Sequence, residues 1–195
     1  MTDTLLVVGG CRSGKSEAAM QWALRRPGPR AYIATARPPV RREMSGREAT
    51  EWDDPEMQAR IARHQAERGP DWLTLLACED GRGPLCTAEN ALLQAAESCR
   101  AAVFDSVGMW IAGLMEKEDA FILGRVKSLA RWLEQSPLPV ALVSDEVGMG
   151  LVPETAVGRR FRDLQGEANQ ILARSCRNVM FCACGIPLML KGRMD

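Results

Sequence analysis

The residues whose types and spacing carry chemistry begin at Gly9-Gly10-Cys11-Arg12-Ser13-Gly14-Lys15-Ser16, which fits the pattern GxxxxGK[ST]. Glycines let a backbone curl until successive N–H groups and a helix N-terminus converge on phosphate oxygens. In such a loop Lys15 reaches the β- and γ-phosphates, and the Ser16 hydroxyl holds Mg²⁺. The flanks agree, because apolar Leu5-Leu6-Val7-Val8 precedes the loop and a helical pattern follows it. A nucleoside triphosphate is the expected ligand. Arg12 is either a second phosphate clamp or a solvent-facing cation. A second acid is needed for the metal, and Asp105 closes the apolar run Ala101–Phe104, where a carboxylate orders Mg²⁺ partly through water. Glu146, after the run Val140–Val143, is a rival at similar topology.

His64 is the one histidine of the chain, so a mechanism needing two is excluded. Met57, Ile61 and His64 fall on one face of a helix read over Asp54–Arg68, with Arg60, Arg63 and Arg68 within a turn of the imidazole. Two readings stand: a partly buried helical histidine, or a neutral nucleophile at phosphorus in a cationic setting.

The elements that must position these groups alternate between strand and helix. Strands are read at Leu5–Val8, Ala31–Ala34, Trp72–Ala77, Ala101–Phe104, Pro139–Val143 and Val179–Cys182, and Leu188–Leu190 is a candidate antiparallel edge. Helices are read at Ser16–Arg26, Asp54–Arg68, Val107–Met115, Ala120–Gln135 and Val157–Cys176. The segment Arg37–Asp53, with Pro38, Pro39 and many charges, reads as a mobile surface loop. This alternation predicts an α/β fold: a three-layer, P-loop NTPase-like arrangement with a mostly parallel central sheet, and a single domain over residues 1–195. On the helix after Pro153, the residues Arg159, Arg162, Asp163, Asn169 and Gln170 form a polar face.

Composition limits the partners. The chain of 195 residues has 25 Lys+Arg against 25 Asp+Glu, a net charge of zero, so no general attraction for nucleic acid or an anionic membrane is expected. The cations are 21 Arg and 4 Lys. The seven cysteines lack CxxC spacing, and no stretch reads as a signal peptide or a membrane span, so a cytoplasmic chain without membrane insertion is expected. Glu116-Lys117-Glu118-Asp119 lacks the Asn or Thr of the [NT]KxD guanine motif of small GTPases.

The order GGxRSGKS, then Tyr32-Ile33-Ala34-Thr35-Ala36, then Glu56-Met57 and Arg60-Ile61-Ala62-Arg63-His64 resembles the bifunctional adenosylcobinamide kinase / adenosylcobinamide-phosphate guanylyltransferase family. Glu146-Val147-Gly148-Met149-Gly150-Leu151-Val152-Pro153-Glu154 is similar to that family's EVGMG-x-VPE stretch, and Arg160-Phe161-Arg162-Asp163 with Gly166 and Asn169-Gln170 extends the likeness to Gly185. The resemblance implies ATP or GTP as phosphate donor to the aminopropanol hydroxyl of adenosylcobinamide. It then implies transfer of GMP from GTP, through a GMP–histidine at His64, onto the cobinamide phosphate. It further implies that Gly9–Ser16 hold the triphosphate, that Ala34, Thr35 and Ala36 line the nucleotide site, that Gln65, Ala66, Glu67 and Arg68 lie beside it, and that the chain is a homo-oligomer, a trimer. Without the resemblance, a single-activity small-molecule kinase with a structural His64, or a nucleotide-gated switch, remains open. Three departures stand out: Leu76 occupies a usual Glu position after Trp72-Leu73-Thr74, with Glu79 as a substitute; Arg37–Asp53 is long; and Asp145 replaces a frequent Asn.

Overall fold

A computed structural model describes residues 3–35, 69–77 and 87–193, and the backbone of 41–44 and 47–50. The elements in chain order are β1 (Thr4–Gly9), α1 (Lys15–Leu24), β2 (Arg30–Ala34), β3 (Arg41–Met44), β4 (Arg47–Thr50), β5 (Trp72–Leu76) and α2 (Ala88–Ser98). They continue with β6 (Ala101–Asp105), α3 (Val107–Gly113), α4 (Asp119–Glu134), β7 (Val140–Asp145), α5 (Ala156–Ser175), β8 (Asn178–Ala183) and β9 (Ile186–Lys191).

Seven strands form one sheet in the order β5-β2-β6-β7-β1-β8-β9, parallel throughout except for β9, which pairs antiparallel with β8. The expected α/β class, the mostly parallel sheet and the antiparallel edge all appear. The inner strands are apolar on both faces because helices cover both. Leu5 and Val7 of β1 pack with Ala19, Trp22 and Ala23 of α1. Leu6, Phe104 and Leu142 face the other way, into a larger cluster with Leu92 of α2, Trp110 of α3, Ile122 and Leu129 of α4, and Leu164 and Leu172 of α5. Complete burial of a side chain such as Leu142 (0 % exposed) stabilises by roughly 1.5–3 kcal/mol.

Two regions differ from the sequence reading. Inside the segment read as a loop, β3 and β4 form a two-stranded antiparallel ribbon, Arg41 opposite Thr50 and Met44 opposite Arg47. Such a ribbon carries no alternation of apolar and polar side chains to read, which is why it passes for a charged loop. The second is α2, which has no counterpart in the reading. Thr87 caps it by accepting from the Asn90 N–H at 3.2 Å, and Ala88, Ala91, Leu92 and Ala95 make its buried stripe. Three alanines give a weak periodic signal. The helix read at Asp54–Arg68 lies outside the described residues.

Candidate active site

Parallel strands direct all their carboxyl ends to one edge, and the groups with chemistry gather there. β1 ends at Gly9, the chain turns through Gly10–Gly14, and α1 begins at Lys15. Gly9 is dictated by space, since a Cβ there would collide with the Ser13 hydroxyl and stand 2.7 Å from the Cys182 carbonyl oxygen. Gly14 sits at φ +90°, the left-handed region open to glycine, with Gly185 of the β8–β9 turn packed against it. The Gly185 N–H donates to the Ser13 carbonyl at 3.0 Å, so the turn braces the loop from outside. Inside it, the Ser13 N–H donates to the Gly10 carbonyl at 3.3 Å. Ser13 is buried, and its Oγ has no hydrogen-bond partner among the described residues.

Lys15 Nζ donates to the Gly10 carbonyl at 3.1 Å and stands 3.0 Å from Asp145 Oδ1. Asp105, closing β6, accepts from the Tyr32 hydroxyl at 2.9 Å and from the Ser16 hydroxyl. Burial pushes the Asp105 carboxyl above the usual carboxylate range; Ser16, Tyr32 and the nearby Lys15 pull it back in part, while Asp145 adds to the rise. Ser16 and Asp105 are hard oxygen donors in mutual contact, the donor type that suits Mg²⁺, which is held by one or two protein oxygens together with phosphate and water. The donor set fits that ion.

The expected residues divide clearly. Gly9–Ser16 and Asp105 share one edge, with Arg12 exposed at φ +53° and Cys11 exposed beside it. Ala34 ends β2 on that edge, half-buried. Thr35 is 1 % exposed, and its hydroxyl donates to the Ser106 carbonyl (2.7 Å) and accepts from the Ser106 N–H (2.8 Å). It ties the end of β2 to that of β6, and its one hydroxyl proton is already given to Ser106. Ala36, His64, Gln65, Ala66, Glu67, Arg68 and Glu79 lie outside the described residues. Leu76 closes β5 opposite Ala34, exposed.

Glu146 is not the acid that reaches the loop, since its Oε1 accepts from the Gly148 N–H at 2.6 Å. Asp145 is the one that does. In the sequence it was only an added charge; its register with Gly9 brings it to Lys15. Asn169, counted on the polar face of α5, turns inward: its Nδ2 donates to the Asp145 carbonyl at 3.0 Å, and its Oδ1 accepts from Gln165 Nε2 at 3.2 Å. Gln165 Nε2 also donates to the Ser144 hydroxyl at 2.8 Å, so α5 fixes the end of β7.

Comparisons with known proteins place the chain in a family. The model of the cobinamide kinase / cobinamide phosphate guanyltransferase family matches residues 5–190. A bifunctional adenosylcobalamin biosynthesis protein of Pseudomonas aeruginosa is 35% identical over 188 residues, 96% of each chain. Proteins of the same description from Salmonella typhimurium and Escherichia coli are 33% and 31% identical, each over 96% of this chain and 99% of theirs. Among solved structures, a KaiC-like protein of Pyrococcus horikoshii shares the fold with a TM-score of 0.50 at 15% identity, over 98% of this chain and 79% of that one. The chain belongs to the cobinamide kinase / cobinamide phosphate guanyltransferase family.

Proposed function

We propose that this chain carries both activities in its family's description: it phosphorylates the aminopropanol hydroxyl of adenosylcobinamide with ATP or GTP, then transfers GMP from GTP to the product. The observation that carries this reading is the joining of Lys15, Ser16 and Asp105 at one sheet edge, in a chain matched to the family over residues 5–190.

In the first reaction the loop N–H groups of Gly9–Ser16 bind the triphosphate and Lys15 offsets charge on its β- and γ-phosphates. The cobinamide hydroxyl oxygen bonds to the γ-phosphorus as the β–γ anhydride breaks. Ser16 and Asp105 would hold Mg²⁺, which neutralises developing phosphate charge when bound. In the second reaction a neutral nitrogen of His64 bonds to the α-phosphorus of GTP and pyrophosphate leaves. A phosphate oxygen of adenosylcobinamide phosphate then displaces His64, giving adenosylcobinamide-GDP. Ala34 and Ala36, with Gln65, Ala66, Glu67 and Arg68, are assigned to the nucleotide's surroundings. Thr35 is assigned a positioning role through Ser106.

A homotrimer in the cytoplasm completes the proposal, with one domain over 1–195. Exposed apolar side chains at Met149, Leu151 (97 % exposed) and Val152 support a subunit or substrate contact beyond the single chain. None of the described helices is long and apolar enough to cross a membrane. The test is to supply γ-labelled ATP or GTP with Mg²⁺ and adenosylcobinamide. Label on the corrinoid, lost in Lys15→Ala, is expected; slow hydrolysis unaffected by cobinamide would point to a nucleotide-gated switch and overturn the proposal.

A further inference from the structure

Asp145 ends β7 at the register position of Gly9, where the phosphate loop opens. Its Oδ1 stands 3.0 Å from Lys15 Nζ, and its Oδ2 accepts from the Ser106 hydroxyl at 3.4 Å. The carboxylate is received closely. A Cβ on Gly108, in the first turn of α3, would collide with Oδ2, so a glycine there leaves the room that Asp145 occupies. The pair is shielded, the Lys15 side chain being 12% exposed and that of Asp145 30%. Lys15 therefore gives one donor to its own loop at Gly10 and another to a fixed anion.

A triphosphate seated on the loop needs that same ammonium. It also brings several negative charges next to Asp145, and at such separations in a partly shielded site like charges repel strongly. The buried carboxylate of Asp105, bonded to Ser16 and Tyr32, already supplies an acid at the neighbouring strand end. Asp145 makes none of those hydrogen bonds and pairs instead with the lysine. We infer that Asp145 is a built-in counter-ion of Lys15 that competes with the triphosphate, and that its charge sets how tightly the loop takes a nucleotide. The inference rests on reading Gly9–Ser16 as the triphosphate site. Asparagine at this position keeps the shape and an acceptor oxygen for Lys15 but removes the competing charge. Asp145 acts here as a positioning residue, through Lys15.

The experiment measures equilibrium binding of the β,γ-imido analogue of GTP to the wild-type protein, Asp145→Asn, Asp145→Ala and Ser106→Ala, in EDTA and in Mg²⁺. In EDTA at low salt both Asp145 variants are expected to bind about fivefold to tenfold more tightly than wild type, an advantage that shrinks in ~0.5 M salt as the charges are screened. Ser106→Ala removes the 3.4 Å hydrogen bond to the Asp145 carboxylate and the cap on the Met109 N–H without a charge change, and is expected to stay within about twofold. A purely structural ion pair would show no such gain and no such salt dependence. Equal binding by the Asp145 variants overturns the inference. So does weaker binding in either condition, in Mg²⁺ by making Asp145 a metal ligand. If the wild type binds and the variants bind no tighter, the reading of the loop survives alone; if no protein binds the analogue, both fall.

Discussion

The two edges of the sheet treat their polar groups in different ways. At the amino edge Arg30, Asp3 and Asn178 are tied down. Arg30 is 9 % exposed, and its Nε donates to the Ala23 carbonyl (3.0 Å) and its Nη2 to those of Leu24 (3.2 Å) and Arg26, at the C-terminus of α1 where a cation is favoured. Arg26 lies 3.5 Å over the Trp22 ring and pairs with Asp3, which also accepts from Asn178 at 2.7 Å. At the carboxyl edge Thr35 and Asn169 are tied as well, but some demands beside them go unmet. Ser13 Oγ is buried without a partner among the described residues, Asp105 is a buried carboxylate held chiefly by hydroxyls, and Lys15 is shared between a carbonyl and Asp145. Saturated groups hold a fold together, while undersatisfied ones are available to a ligand. Chemistry and stability are thereby assigned to opposite ends of the same strands.

The largest effect that sharpens this contrast is expected at Lys15. Lys15→Ala should lower triphosphate-dependent turnover by about 10²–10³-fold, the scale of one lost charge-stabilising donor, with little change in the thermal midpoint. Kinetics and a melt on the same sample check it. At the other edge the effects exchange places. Arg30→Met takes a side-chain donor from three carbonyls, of which that of Ala23 keeps the Arg26 N–H, and should cost about 2–4 kcal/mol. That lowers the midpoint by roughly 5–15 °C, while turnover per folded molecule is retained. A loss of activity without a loss of stability would break the comparison.

A smaller effect of opposite sign is expected at Asp105. Burial raises its carboxyl above the unfolded value, so the folded state binds more protons than the unfolded one between those two values, and stability falls as pH rises through that window. Above that window the ionised group is a net cost, and Asp105→Asn should raise stability there while turnover drops. The gain should fade as the pH is lowered through the window, which urea unfolding at several pH values would follow. The smallest effect concerns thiols. Burial pushes Cys176 up to about 12, so it should resist alkylation at neutral pH, whereas exposed Cys11 and Cys184 react before it. Peptide mapping after brief alkylation measures the order.

Much of this division was legible in the residues. The run Leu5–Val8 into the glycine loop, and the acid after Ala101–Phe104, depend on local pattern alone and stand where expected. What depends on register was not legible. In Ser144-Asp145-Glu146 two adjacent acids compete, and alternation only says that they point apart; pairing of Asp145 with Gly9 decides which one meets Lys15. Asn169 read only as part of a polar face, because helical periodicity cannot distinguish a polar side chain facing outward from one bonded to the end of a strand. The β3–β4 ribbon and the alanine-rich α2 escaped because neither writes a strong apolar period.

GTP labelled at the α-phosphorus, incubated with Mg²⁺ and the protein, tests most directly whether the chain carries guanylyl transfer through His64. Acid-labile, base-stable label is expected on the wild-type protein and discharged to the corrinoid by adenosylcobinamide phosphate, with none on His64→Ala. An unlabelled wild type, or a His64→Ala protein that labels fully, would contradict it.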